Sequence, residues 1–141
     1  MTTDIFHIDG DFQILCAKAD SFPAGIKEAF ETITEKIGSS HYRTYYGVSR
    51  MDKNGTIIYY AGVNAADQNE ASRLGCETFT IRGGDYLGTI VNDFMNDTTA
   101  IGKTFQELLK DPRLDRNGYC LEIYANQRDV KCMVPIIQAN H

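Results

Sequence analysis

The chain has 141 residues, 43% apolar and 23% charged, with a net charge of −5 and a pI near 5.1. That suits one soluble globular domain and is too short for two ordinary ones, and no stretch nears the ~18 consecutive apolar residues of a membrane-spanning helix. Arg43, Arg50, Lys53, Arg73, Arg82, Arg113 and Arg116 are scattered, with no basic run, which argues against direct nucleic-acid binding because that rests on neutralising phosphates.

The opening segment MTTDIFHIDGDF holds three acids and no basic residue ahead of an apolar core, so no signal peptide is expected and the cytoplasm is the expected compartment. DFQILCAKA (11–19) predicts an apolar strand. SFPAGIKEAFETITEKIG follows, with Ile26, Phe30, Ile33 and Ile37 on one helical face, Ser21 as a cap, Pro23 in the first turn and Gly38 at the end. YRTYYGVSRM and TIIYYAGVNA predict strands around DKNG, where Asn54-Gly55 is a strong hairpin signal. NAADQNEASRLG (64–75) is a polar connector.

The second half repeats this order. CETFTIRGGDYLGTIVNDF predicts one long strand over about 77–91, bent or bulged at Gly83 and Gly84. DTTAIGKTFQELLKDP predicts a helix capped by Asp97, with Ile101, Phe105, Leu108 and Leu109 inward and Pro112 past its end. YCLEIYA and DVKCMVPI predict the last hairpin. The fold class is therefore α+β: duplicated β-α-β-β units, about 11–64 and 76–137, in a single domain over 1–141. Each unit should lay one helix on an antiparallel sheet, both helices on one side. The strand faces that the helices leave uncovered would line a central ligand groove between the halves. Leu121, Ile123, Phe30, Ile33, Phe105 and Leu109 are expected in the core beneath the helices, with Glu122 facing the groove.

Chemistry-bearing motifs are sparse. Cys16, Cys76, Cys120 and Cys132 show no CxxC spacing, and His7, His41 and His141 stand far apart, so no metal site and no cofactor is expected. Buried free thiols are the expected state, since a reducing compartment disfavours a Cys120–Cys132 bridge. RGGDYLG resembles a phosphate loop but leads into a strand and lacks a following Lys-Ser/Thr. The conspicuous residue is Glu122, a carboxylate in a strand otherwise built for burial. Eight tyrosines, Tyr42, Tyr45, Tyr46, Tyr59, Tyr60, Tyr86, Tyr119 and Tyr124, cluster in predicted strands. Strand propensity explains any one of them. Several rings on one groove wall would also hold a cation by cation–π contact. Alternation does not decide which ring of each Tyr-Tyr pair faces the groove; Tyr46 and Tyr60, with Tyr86 and Met133, are the candidate walls.

IRGGDYLGTIV, the following helix and CLEIYANQRDVKCMVPI, together with YYGVSRMDKNGTIIYYAGV, resemble the GyrI-like effector-binding family. That family includes effector-binding domains of multidrug-responsive transcription activators, stand-alone drug-binding proteins and DNA gyrase-inhibitory proteins. The resemblance spans nearly the whole chain. It implies an aromatic-lined cleft with an acid at its base that pairs with lipophilic cations, Glu122 falling on the acidic position and Tyr124 on the following aromatic. No DNA-reading segment of the activators is present, and without Trp the aromatic wall must be Tyr and Phe. The implied function is a stand-alone small-molecule effector-binding protein, regulatory or drug-sequestering, taking a cationic aromatic ligand. One alternative is a hydrolase of electrophilic small molecules using Glu122 and Tyr124, as some relatives of this fold resemble. Another is an inhibitory protein with a regulator or gyrase as its protein partner.

Overall fold

The computed structural model of the protein describes residues 1–38, 43–97, 99–124 and 126–137. Tyr42, His41 and His141 lie outside them. In chain order the elements begin with β1 (Asp4–Ile8), β2 (Phe12–Lys18), α1 (Ile26–Ile37), β3 (Tyr45–Met51), β4 (Ile57–Asn64) and α2 (Glu70–Leu74). There follow β5 (Glu77–Ile81), β6 (Gly84–Val91), a 3-10 turn (Phe94–Asn96), α3 (Ala100–Leu108), β7 (Cys120–Tyr124) and β8 (Val130–Pro135). The fold is α+β with antiparallel strands, and the chain forms two compact units, Phe12–Ile81 and Met1–Asp11 with Arg82 onward.

In the unit Phe12–Ile81 the strand order is β3-β4-β2-β5. Ala29 and Ile33 of α1 are buried against Leu15, Ala17, Tyr59, Ala61 and Val63, with Ile26, Phe30, Ile37 and Tyr45 packed around them. The 3–4 spacing of Ile26, Phe30, Ile33 and Ile37 makes one apolar stripe, so burial of that stripe favours the helix here. The helix starts at Ile26, later than Ser21, because residues 21–25 form a turn in which the Gly25 N–H bonds the Ser21 carbonyl. The β3–β4 turn follows its sequence signal: Gly55 has φ 79°, and the Asp52 carboxylate accepts from the Asn54 and Thr56 N–H groups.

In the other unit the order is β7-β8-β6-β1. Phe105 and Leu108 of α3 pack on Leu87, Val130, Cys132 and Val134. The two orders correspond strand for strand: β2-α1-β3-β4 matches β6-α3-β7-β8, and β5 and β1 take the same edge place.

Several expectations change. The expected long strand is two strands that break at Arg82–Gly83, β5 pairing with β2 and β6 with β1 and β8. A side chain at Gly83 would come 2.5 Å from the Gly10 Cα, so this crossing needs glycine. Strand β1 was not anticipated, and neither was α2 inside the polar connector. Helix α3 begins at Ala100, where the Asp97 carboxylate accepts from the Thr99 N–H and hydroxyl. Leu109 is not inward but 47% exposed.

The face assignment of β7 is reversed. Cys120 and Tyr124 pack on the Phe105–Leu108 core, and Glu122 alternates with them and pairs with Cys132 of that core. Leu121 pairs instead with Met133, on the face away from α3. Phe30 and Ile33 belong to the core of α1's unit and Phe105 to that of α3's. A strand has a side-chain period of two, so a one-residue choice moves every side chain to the other face. On the faces away from the helices, Ile14, Tyr46, Val48, Tyr86, Leu121 and Met133 are all buried.

Candidate functional site

Glu122 sits at the middle of β7, 7% exposed, on the sheet face that carries α3. A hairpin turning at Gln127 brings it opposite Cys132, and Cys132 in turn pairs with Thr89. Two residues further along the same face, the Tyr124 hydroxyl donates to Glu122 Oε1 at 2.5 Å.

The Tyr124 ring is set by its neighbours. Phe94 meets it edge-on, ring centroids 5.4 Å apart and planes at 68°. Phe94 is held in turn because its N–H bonds the Arg128 carbonyl, while Arg128 Nε donates to Asp93 and the Asp93 N–H to Asp129. The Asn126–Asp129 turn thus fixes the ring that backs Tyr124. Burial, with Glu122 and Cys120 adding to it, pushes the Cys132 thiol up, so it stays protonated and offers no thiolate nucleophile. Burial likewise raises Cys16, to about 12. All four cysteines are free. No group of three or more His, Cys, Asp or Glu suited to a metal occurs among the described residues.

The other candidate residues lie elsewhere. Met133 alternates with Cys132 and Val134, and Tyr86 with Leu87, so both occupy the face of this sheet opposite Glu122. The Tyr86 hydroxyl bonds the Arg82 carbonyl and the Tyr119 hydroxyl, and burial raises its pKa first, the Tyr119 contact adding. In the other unit, Tyr45 and Tyr59 pack with α1. Tyr46 and Tyr60 face away from α1, Tyr46 against Phe12 at 5.8 Å and Tyr60 against Phe79 at 5.9 Å. Of the six candidates, the structure brings Glu122 and Tyr124 into contact.

Two features went unanticipated. Phe94, behind Tyr124, lies in a segment with no periodicity to flag it. The Glu122–Cys132 pairing was available from hairpin counting, once the turn is centred on Gln127.

No family model matches the chain, and no curated protein matches it. Solved structures share its fold. An integron cassette protein from the mobile metagenome of Vibrio cholerae aligns with a TM-score of 0.67 at 12% identity, over 96% of this chain and 95% of that one. SAV2435, solved bound to tetraphenylphosphonium, aligns with a TM-score of 0.66 at 8% identity, over 97% and 94%. A hydrolase from Listeria innocua aligns with a TM-score of 0.59 at 10% identity, over 96% and 92%. At these identities the likeness is one of fold, and the fold is one on which both a cation-bound protein and a hydrolase are built.

Proposed function

We propose that the chain is an effector-binding protein of the GyrI-like type, taking a lipophilic organic cation at Glu122. The observation that carries this is the buried carboxylate on the α3 side of its sheet, in 2.5 Å contact with the Tyr124 hydroxyl. In such surroundings charge attraction exceeds its value in water, so a carboxylate there favours a cation over a neutral molecule of equal shape. Tyr124, backed by Phe94, supplies an aromatic surface beside the acid. The tetraphenylphosphonium held by SAV2435 is a ligand of this chemistry.

Calorimetric titration with tetraphenylphosphonium tests the reading. Glu122→Gln keeps shape and removes charge, and affinity should fall by about 1.5–3 kcal/mol, the range for contacts to a charged group. Neutral triphenylphosphine oxide should bind both proteins alike. Equal cation affinity in the two proteins would remove Glu122 from the site.

The Glu122–Tyr124 pair also supports a second reading, that of a hydrolase, with the carboxylate as general base on water and the hydroxyl orienting it. The Listeria innocua hydrolase shares the fold. Product formed from an electrophilic small molecule, and lost in Glu122→Gln, would favour that reading over binding alone.

A further inference from the structure

The unit that carries Glu122 has a concavity that Glu122 does not line. It measures ≈ 400 Å³ and lies where the start of β6, the end of β8 and the 111–118 loop converge. That volume falls in the lower range for small-molecule pockets, about 300–1,000 Å³. Arg82, Asp85, Asp115 and Asn117 supply its polar lining, and Pro135 and Ile137 its apolar side.

Arg82 is anchored here by an unusual device. Its backbone N–H donates to the Tyr119 hydroxyl at 2.8 Å, and its carbonyl accepts from the Tyr86 hydroxyl at 2.7 Å. The two hydroxyls are 2.6 Å apart. A backbone N–H must donate and a carbonyl must accept, so the Tyr119 hydroxyl donates to Tyr86 and the three bonds close into a ring running one way. Hydrogen bonds linked head to tail reinforce one another. Two buried tyrosines therefore fix the backbone of one arginine at the break between β5 and β6.

The side chain is placed with equal care. The guanidinium lies over the Tyr119 ring, 5.4 Å from its centroid, and Asp115 holds Nη1 at 3.4 Å. Gly118 leaves it room, since a Cβ there would come 3.3 Å from Arg82 Nη2 and 2.4 Å from Pro135 Cγ. With five N–H donors in a planar fork, such a group suits a carboxylate. Asp85, oriented by His7 Nδ1 at 2.8 Å, and Asp115 add negative charge on the same lining. A simple anion would meet two carboxylates there, and a simple cation would meet the guanidinium. A ligand bearing both charges complements both.

We propose that this pocket binds a small α-amino acid with an apolar side chain, its carboxylate on Arg82, its ammonium on Asp85 and Asp115, and its side chain against Pro135 and Ile137. The site is independent of the cation site at Glu122.

Titration of the ¹⁵N-labelled full chain with L-leucine, 4-methylpentanoate and 3-methylbutylamine tests this by the amide shifts of Gly83, Asn117 and Ile136. Leucine should shift them saturably and bind about tenfold or more tightly than either single-charge analogue, as expected when a charge-assisted contact is lost. Arg82→Gln leaves the tyrosine ring its backbone partners, so the spectrum should stay folded while leucine binding falls by a similar factor. Asp115→Asn should weaken leucine but not 4-methylpentanoate, and Glu122→Gln should change nothing. No saturable shift with leucine, equal affinity for the analogues, or undiminished binding by a folded Arg82→Gln protein would each overturn the proposal.

Discussion

Glu70 and Glu122 are the two buried acids among the described residues, 5% and 7% exposed, and the molecule holds them in different ways. Arg43 grips Glu70 with two hydrogen bonds, 2.7 and 2.5 Å long, and the Ala66 N–H adds a third at 2.8 Å. Arg43 also bonds the Asn64 carbonyl, so the pair ties the exit of β4 to the chain entering β3. The Arg43 hydrogen bond holds the Glu70 carboxyl below the usual glutamate range. Glu122 accepts a hydrogen bond from the Tyr124 hydroxyl, two residues along its own strand.

The matching position in the other unit sharpens the difference. There Gly47 stands opposite Ala61, as Glu122 stands opposite Cys132. The two units have the same strand order and one packed helix each, yet only one of these positions carries an acid. The scaffold is thus common to both, and the acid belongs to a single strand residue of one unit.

The largest way to break the comparison is at Glu70. Arg43→Met leaves a buried carboxylate without its guanidinium and should cost about 3–5 kcal/mol in urea unfolding. A loss below about 1 kcal/mol, the level of an exposed surface pair, would show that this pair is not structural. Next, Leu121→Ala should cost about 2–5 kcal/mol by opening a cavity in a fully buried position. Leu109→Ala, at an exposed position, should stay within about 0.5 kcal/mol. A loss of about 2 kcal/mol or more at Leu109 would return that residue to the core beneath α3.

Acid titration tests the Glu70 pair directly. Because the folded-state pKa of Glu70 is depressed, its stabilising contribution is complete above the ordinary glutamate range and is lost as the pH falls through the folded value. Unfolding free energy should therefore fall more steeply with acid in the wild type than in Glu70→Gln. Parallel curves would contradict that assignment. The smallest effect is expected from Tyr124→Phe, which removes one hydrogen bond and should cost about 0.5–1.5 kcal/mol in the same unfolding assay. A much larger loss would give the contact a structural role like that of Arg43.

The repeated β-α-β-β order was legible in the sequence because its signals are local. A 3–4 apolar stripe predicts α1, and Asn54-Gly55 predicts the β3–β4 turn. The acid in the last hairpin was visible for the same reason. What stayed hidden depends on partners remote in sequence. Strand β1 gains its status by pairing with β6, about 80 residues away by the register Asp4–Gly88. Glu70 and Arg43, 27 residues apart, meet only once α2 forms. The face of β7 was ambiguous because Cys120 and Tyr124 pack nearly as well as Leu121 and Ile123, so apolar character alone could not choose.

The central claim is that the Glu122 carboxylate meets a ligand's positive charge, and ¹³C NMR of its carboxyl carbon tests it most directly. Tetraphenylphosphonium at saturation should move the Glu122 Cδ and Tyr124 Cζ resonances together, while triphenylphosphine oxide should leave Glu122 Cδ in place. Tetraphenylphosphonium that binds without moving Glu122, or that fails to bind at all, would contradict the account.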